Sequence, residues 1–558
     1  MGAVKVFHLL SSGADIQPSP FLAWLPHFAV GLVLFAIGLL LAFLVVRARS
    51  ADAHPDWMQR ASVAASGIAL VAALVMAITL ALTGPLRQVV AGGVLPGDIP
   101  LEFTLYLDAV AAVMLMLVAF LGLVISRFSC RYLNGNPRQG RFLKWLTINV
   151  GMVLLLIVSG NLLLFAAAWM GTSLSLHQLL TFHRDRPGAL LAARQKFIIS
   201  RVGDICLLGA LILVYQIFGT FDFATIFSAA ETLRASGELQ PHEGWQTLAF
   251  LLAVGALLKS AQFPFHVWLP DTLETPTPVS AMMHAGIINA GGFLVIRLSP
   301  LMMLAPTALD VLAVVGAVTA VYGSLVMMTQ PTIKKMLAYS TIAQMGFMML
   351  QCGLGLFALA LLHIVVHSLY KAYAFLGSGG TAVASVRSGP MPQFPAASWT
   401  PFFAVLVSGV ITIGWGALFG VSFTDKPGVL VLGLVLTLGL GQLLFGSFGR
   451  KGGRAVAIRG ILAMIGVGGL YFTLHTGAGW VFGSALPSPA ANRGWFDLGL
   501  MVAIATLFVG LYVLQTRLAE IGSHPVLARW YIRLLNGFSL DLIANRFVQR
   551  FWPVKTGH

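Results

Sequence analysis

His363, His367 and Lys371 recur every four positions inside one long apolar run. On a helix that spacing stacks them along one face, over about 12 Å. Two imidazoles and an amine joined by water pass protons in short hops, since each gains and loses a proton in place. Lys259 stands in the middle of another apolar run, five residues before Pro264. A charge at the bilayer centre is costly even on the mildest scale, so a lysine kept there needs a task. Reversible protonation is such a task; a fixed counter-charge is the structural alternative. His284 lies one turn into the next run and is read as facing the same cavity. Arg201 and Asp204, three residues apart, read as an intrahelical ion pair at the membrane edge. Asp108, at the start of the third run, reads as a structural partner.

The stretches that must position these groups contain helix-breaking chemistry. Lys259-Ser-Ala-Gln-Phe-Pro264-Phe-His-Val-Trp-Leu-Pro270-Asp271 is followed by Glu274-Thr-Pro276-Thr-Pro278-Val-Ser-Ala-Met-Met-His284. Proline withholds an amide donor and frees a carbonyl one turn back. Hydrocarbon satisfies neither, so such backbone survives only against protein or a water-filled cavity, where transporters build ion sites.

The wider composition sets the medium. Of 558 residues, 58% are hydrophobic and 9% charged, and mean hydropathy is +0.88. Repeated apolar runs of membrane-spanning length make this an all-α polytopic membrane protein with about fifteen transmembrane helices. The net charge of +15 is sorted rather than pooled. Roughly 25 basic residues fall in alternate connections and the tail, against about 6 in the others, a positive-inside pattern rather than a nucleic-acid patch. It predicts an outer N-terminus and a cytoplasmic C-terminus. Membrane lipid is therefore the chain's solvent, and nucleic acid is excluded as a partner.

Cys130, Cys206 and Cys352 are far apart and form no metal or disulfide spacing. No metal or cofactor is expected in this chain. The first twenty residues lack a cleavage-site pattern, so no removable signal peptide is expected. The organisation reads as N-terminal transmembrane helices (1–140), two further blocks of helices (141–300 and 301–450), C-terminal transmembrane helices (451–515) and a tail (516–558). That tail alternates Arg with Trp, Leu and Phe, as amphipathic helices do when they lie on a membrane face or dock on a partner.

KSAQFPFHVWLPDTLETPTPVSAMMHAG, ARQKFIISRVGDICLLGALILVYQIFGT and MTQPTIKKMLAYSTIAQMGFMML resemble the antiporter-like subunits of respiratory complex I and of multisubunit sodium/proton antiporters. The resemblance covers roughly residues 100 to 380 and implies two inverted five-helix repeats with broken helices. It places a proton path on Lys259, His284, His363, His367 and Lys371. The family's fifth-span glutamate is replaced here by Met170, after Trp169, and His177, seven residues on, is read as taking over part of its role. Beyond Gly380 the likeness fades. The twelfth span has no central lysine, and Lys426 at its end is a weak candidate.

GTSLSLHQLLTFHRDRPGALLAARQKFIISRVGD and HAGIINAGGFLVIRLSP resemble the DabB family, bacterial inner-membrane subunits of inorganic-carbon uptake complexes. That likeness implies a DabA-like cytoplasmic zinc partner, docked on the basic inner face, that captures carbon dioxide as bicarbonate. Protons or sodium moving through this chain would energise it. This chain would then be no enzyme, the zinc chemistry residing in the partner. The alternatives are a cation/proton antiporter subunit, a redox-linked pump module like those of complex I, or a structural anchor with a dead path.

Overall fold

The computed structural model describes residues 20–95, 99–236, 243–380, 399–421, 427–448, 453–487, 495–521 and 525–553. Lys426 and the N-terminal segment read as lacking a signal peptide lie outside the described residues. Within them, α1 (Pro20–Leu41), α2 (Ala48–Ala53) and α3 (Pro55–Thr83) come first. A hairpin follows, with β1 (Leu86–Leu95) antiparallel to β2 (Ile99–Leu107). This hairpin departs from the all-α expectation. The physical reason is local: Asp108 accepts the Ala111 amide at 2.8 Å and so starts the helix there. Phe103, Thr104 and Tyr106, which precede it, suit a strand.

Next come α4 (Ala109–Tyr132), α5 (Gln139–Val158), α6 (Leu162–Leu180) and α7 (Pro187–Phe218). Pro187 opens α7 at a position where its missing amide costs nothing, and Gly219, at φ +67°, closes it. The helix therefore takes in Arg194 and Lys196, basic residues that would otherwise suit a connection between spans. The chain continues through α8 (Phe223–Ser236), α9 (Glu243–Lys259), α10 (Trp268–Asp271), α11 (Thr277–Ala285), α12 (Ala290–Arg297) and α13 (Ser299–Met302). Then follow α14 (Pro306–Thr329), α15 (Ile333–Gly353), α16 (Phe357–Leu376), α17 (Thr400–Leu418), α18 (Pro427–Phe448), α19 (Gly453–Phe482) and α20 (Trp495–Ile521). Two tail helices, α21 (Pro525–Leu535) and α22 (Leu540–Phe551), close the described chain. Among the described residues, thirteen helical spans, with α11 and α12 counted as one, are long and apolar enough to cross a membrane. α9 is a shorter apolar helix, and the 21-residue α15 is not among the thirteen.

Two breaks interrupt the helical path. The first follows Lys259, which is the last residue of α9 rather than the middle of a span. Ala261 takes a left-handed backbone (φ +49°), and the freed polar groups find protein partners, as hydrocarbon demands. Gln262 N donates to Leu257 O at 3.1 Å, and Phe263 N donates to Thr319 Oγ1 at 3.1 Å. Thr275 and Pro276 are extended between α10 and α11, where the prolines predict an interruption, and the second break, which they do not predict, falls at Gly286–Asn289. Those prolines sit at the start of α11, where a helix needs no amide donor. Asn289 Nδ2 repairs the second break by donating to Ala285 O at 3.0 Å and Ser368 Oγ at 2.8 Å. Ser260 Oγ donates to Ile288 O at 2.7 Å and ties the two breaks together.

Burial grades from this centre outward. The α11–α12 span is 89% buried, whereas the spans of α17 and α19 are each 22% buried. The C-terminal helices thus present apolar residues such as Val410, Ile413 and Leu462 to lipid. α14 and α15 pack as a tight pair because Gly316 and Gly346 face each other with no room for a Cβ on either. Substituting Gly346→Val should cost at least about 3 kcal/mol through overpacking. Thermal unfolding of the detergent-solubilised chain checks this, and Gly466→Ala, into open space, should leave the transition unmoved.

Candidate functional site

Lys259 is 5% exposed and its ammonium has three acceptors for three protons. It donates to Ser173 Oγ at 2.7 Å, Trp169 O at 3.3 Å and Thr172 Oγ1 at 3.4 Å. The Trp169 ring lies under it, 4.2 Å from nitrogen to centroid, adding a cation–π contact. The same indole donates from Nε1 to Asp204 Oδ1 at 3.0 Å. Asp204 in turn pairs with Arg201 at 2.6 Å, the i,i+3 ion pair expected from the sequence. The nearest carboxylate to Lys259 is therefore reached through Trp169.

Lys196 belongs to this cluster, although its place among basic loop residues hid it. It is 2% exposed and donates to Ser173 O at 3.2 Å, so one serine serves two amines. A signal existed in the spacing: Lys196, Ser200 and Asp204 share the buried face of α7. His177, four residues past Ser173, packs its ring on Phe197 at 5.1 Å and has a buried Nδ1 with no protein partner. It makes no hydrogen bond to Lys259. Met170 is half-buried and packs on the core.

A second cluster forms where α11, α15 and α16 meet. Lys371, fully enclosed, donates to Leu337 O at 3.0 Å. Thr341 gives its single hydroxyl proton to the same carbonyl at 3.0 Å. His284 must then donate from Nδ1 to Thr341 Oγ1, at 3.0 Å, leaving its Nε2 lone pair bare and buried. Its ring stacks on Phe375 at 4.3 Å. His284 lies in the last turn of α11, beside the second break, rather than one turn into an unbroken span. His367 is buried with neither ring nitrogen partnered, its centroid 6.0 Å from His363. His363 bonds Gln351 Oε1 at 2.9 Å through Nδ1. Lys371, a main-chain carbonyl, Thr341 and His284 thus form one connected polar chain.

Asp108 stands apart from both clusters. Its Oδ2 pairs with Arg297 at 2.8 Å, both side chains buried. Arg297 is 4% exposed and ties the end of α12 to the start of α4. None of Lys196, Lys259 and Lys371 has a carboxylate within ion-pair distance among the described residues. Arginines are pinned by acids, and the buried lysines are not.

Comparison with known proteins places this arrangement. The family model for the transmembrane region of NADH:quinone oxidoreductase and Mrp antiporters matches residues 159–436. The model for the N-terminus of complex I chain 5 matches residues 94–143. The match runs past Gly380, where the motif resemblance fades. A probable inorganic carbon transporter subunit DabB2 of Halothiobacillus neapolitanus is 37% identical over 94% of this chain and 95% of its own length. The chain belongs to the DabB family. A DabB relative from Hydrogenovibrio crunogenus is 36% identical over 79% of this chain and 82% of that one. This family lies within the complex I and Mrp antiporter superfamily. Among solved structures, the Mrp complex of a Dietzia species aligns with a TM-score of 0.55 at 24% identity, over 94% of this chain and 57% of that one. That likeness speaks to the fold.

Asp108→Ala should destabilise the chain by about 3–5 kcal/mol, because it strands the Arg297 guanidinium in a buried site. The double variant with Arg297→Leu should recover most of that loss. Thermal unfolding of the purified variants in detergent tests both expectations.

Proposed function

We propose that this chain conducts protons through its two buried clusters and so energises inorganic-carbon uptake by a DabA-like cytoplasmic zinc partner. One observation carries the reading: Lys259 and Lys371 are enclosed, bonded to neutral oxygens and, among the described residues, without a carboxylate within ion-pair distance to hold their charge permanently. A structural counter-charge needs an opposite charge; a relay needs acceptors that serve the ammonium without trapping it. The bare lone pairs of His284 and His367 supply receiving sites beside Lys371. The oxygens that converge in these clusters already accept from the Lys259 and Lys371 ammoniums, so the atoms left to take up a cation are imidazole nitrogens, which suit a proton and not sodium. Protons are accordingly favoured over sodium.

The names of the relatives supply the carbon side of the proposal. They are called probable inorganic carbon transporter subunits, and the resemblance pairs such chains with a zinc partner. The basic connections and the tail share one face: Arg194 on α7 donates to Trp552 O at 2.8 Å, and Lys335 lines a cavity with Asp541. That face is taken as cytoplasmic, by the positive-inside rule, in a bacterial inner membrane. Exposed Trp530, Ile543, Phe547 and Phe551 beside basic residues give it a surface for lipid or the partner.

Expression with a DabA-like partner in a carbonic-anhydrase-deficient bacterium tests the proposal. Growth in air should require both chains, and Lys259→Ala with Lys371→Ala should slow carbon uptake by at least about tenfold. Lys196→Met should also reduce uptake, being part of the same cluster. Rescue that survives the double alanine variant would leave the chain a passive anchor. Sodium resistance or quinone-linked activity without rescue would assign it to another branch of the superfamily.

A further inference from the structure

The tail crosses the basic ends of two helices that border lipid. α21 packs against α14 and α22 against α7. Gln330 Nε2 donates to Leu535 O at 3.2 Å, Tyr322 Oη donates to Gly537 O at 3.2 Å, and Arg194 holds Trp552 O. α7 and α14 both turn apolar residues outward, Val202, Ile205 and Ile212 on one, Val314 and Val318 on the other. α7 is 32 residues long, so it overruns a hydrocarbon core of roughly 30 Å by about 18 Å. Arg184, Arg186 and Arg194 put that overhang on the basic side. Arg194, two turns into α7, is where α22 rests. That level is the headgroup layer.

The side chains of α22 fall into three files. Asn545 bonds Gln195, Val548 is 3% exposed, and the Trp552 ring meets Phe197 edge-on at 5.8 Å. With Asp541, three or four residues apart, they make the face against protein. Ile543, Phe547 and Phe551, four apart, form a second file, and all are exposed. Arg546, Gln549 and Arg550 fill the remaining arc with Leu542. One buried face already accounts for the packing, so a second apolar file calls for a second apolar medium. α21 likewise exposes Trp530, Tyr531 and Ile532, and the Arg533 guanidinium lies 5.3 Å from the Trp530 ring. Arg529, Arg533, Arg546 and Arg550 make no ion pair among the described residues. Asp541, the one acid between residues 525 and 553, turns inward to a small cavity beside Lys335. The outward charge of the tail is therefore all positive.

We propose that α21 and α22 are an anionic-phospholipid binding surface lying in the headgroup layer of the cytoplasmic leaflet. Ile543, Phe547 and Phe551 dip into the acyl boundary, and Arg529, Arg533, Arg546 and Arg550 bind lipid phosphates. A guanidinium donates two parallel N–H bonds to phosphate oxygens, which suits it to a phosphodiester headgroup. Trp530 and Tyr531 belong at the same depth, having an apolar ring and a polar edge to divide between the two media. A protein partner on this stripe would have to supply acids for four unpaired arginines as well as an apolar groove, and an acidic leaflet supplies both. The inference takes from the proposed function only the cytoplasmic placement of the basic face, and it stands whether or not the buried clusters conduct.

A fluorophore on the full-length chain tests this, attached at Ile543→Cys after Cys130, Cys206 and Cys352 are replaced by alanine. The chain is placed in vesicles of mixed phosphatidylcholine and phosphatidylglycerol, with a trace of one or the other lipid carrying a spin label. At equal mole fraction, spin-labelled phosphatidylglycerol should quench at least about threefold more than spin-labelled phosphatidylcholine, because the arginines enrich it locally. High salt should erase the excess. Arg546→Gln with Arg550→Gln should erase it too, while quenching by phosphatidylcholine persists. A fluorophore at Gln549→Cys, on the arginine arc, should instead be reached by aqueous iodide. Equal quenching by the two lipids would overturn the proposal, since the stripe would then be ordinary lipid contact. So would a label at 543 that iodide reaches and neither lipid quenches; shielding of that label by an added DabA-like protein would assign the stripe to the partner. Proton flux through the same vesicles reports on the conduction reading alone, so either reading can fail without the other.

Discussion

Hydrocarbon offers no hydrogen bonds, and the whole interior of this protein follows from that. Each backbone group freed at a helix break must be met by protein, which explains why Thr319, Ser260 and Asn289 gather at the two breaks. These side chains hold the irregular segments as firmly as a helix would. The breaks in turn bring polar atoms to membrane depth without exposing them to lipid. Enclosure does the rest: the most buried span is the one that carries the second break.

The same constraint sorts the charges into two kinds. Arginines that enter the interior are matched with acids, as with Arg297 and Asp108 or Arg201 and Asp204. These pairs fix helix against helix, or turn against turn, and they lose their worth if one partner goes. The lysines meet main-chain carbonyls and hydroxyls instead. Such acceptors stabilise an ammonium by hydrogen bonding yet remain satisfied when the amine is neutral. A protein that only needed rigidity would gain nothing from this choice.

Much of this was legible in the sequence because charge and hydropathy are local properties. Lys259 and the His363, His367, Lys371 series stand out in apolar runs, and the spacing that puts them on one helix needs no tertiary knowledge. Lys196 did not stand out. Its neighbours Arg194 and Arg186 made it look like part of a basic loop, and only the early helix start at Pro187 buries it. The Trp169 link to Asp204 spans two helices and leaves no trace in either one alone. His177 looked like the substitute for a missing carboxylate because it shares a helix with Met170, but the carboxylate nearest Lys259 comes from a neighbouring helix. The prolines mark the extended step at Thr275–Pro276 ahead of α11, whereas the second break, at Gly286–Asn289, carries no proline to announce it. The hairpin between β1 and β2 escaped because its apolar residues continue into α4 without a gap in hydropathy.

Three of the contacts that seat the tail share a chemical detail. Gln330, Tyr322 and Arg194 all reach for carbonyl oxygens, those of Leu535, Gly537 and Trp552. Every amino acid carries that oxygen, so these anchors recognise the path of the chain and are indifferent to what it spells. The outward side chains of the tail are consequently free to drift with whatever surface they meet. Divergence among relatives should be able to retune that surface while leaving its mooring untouched.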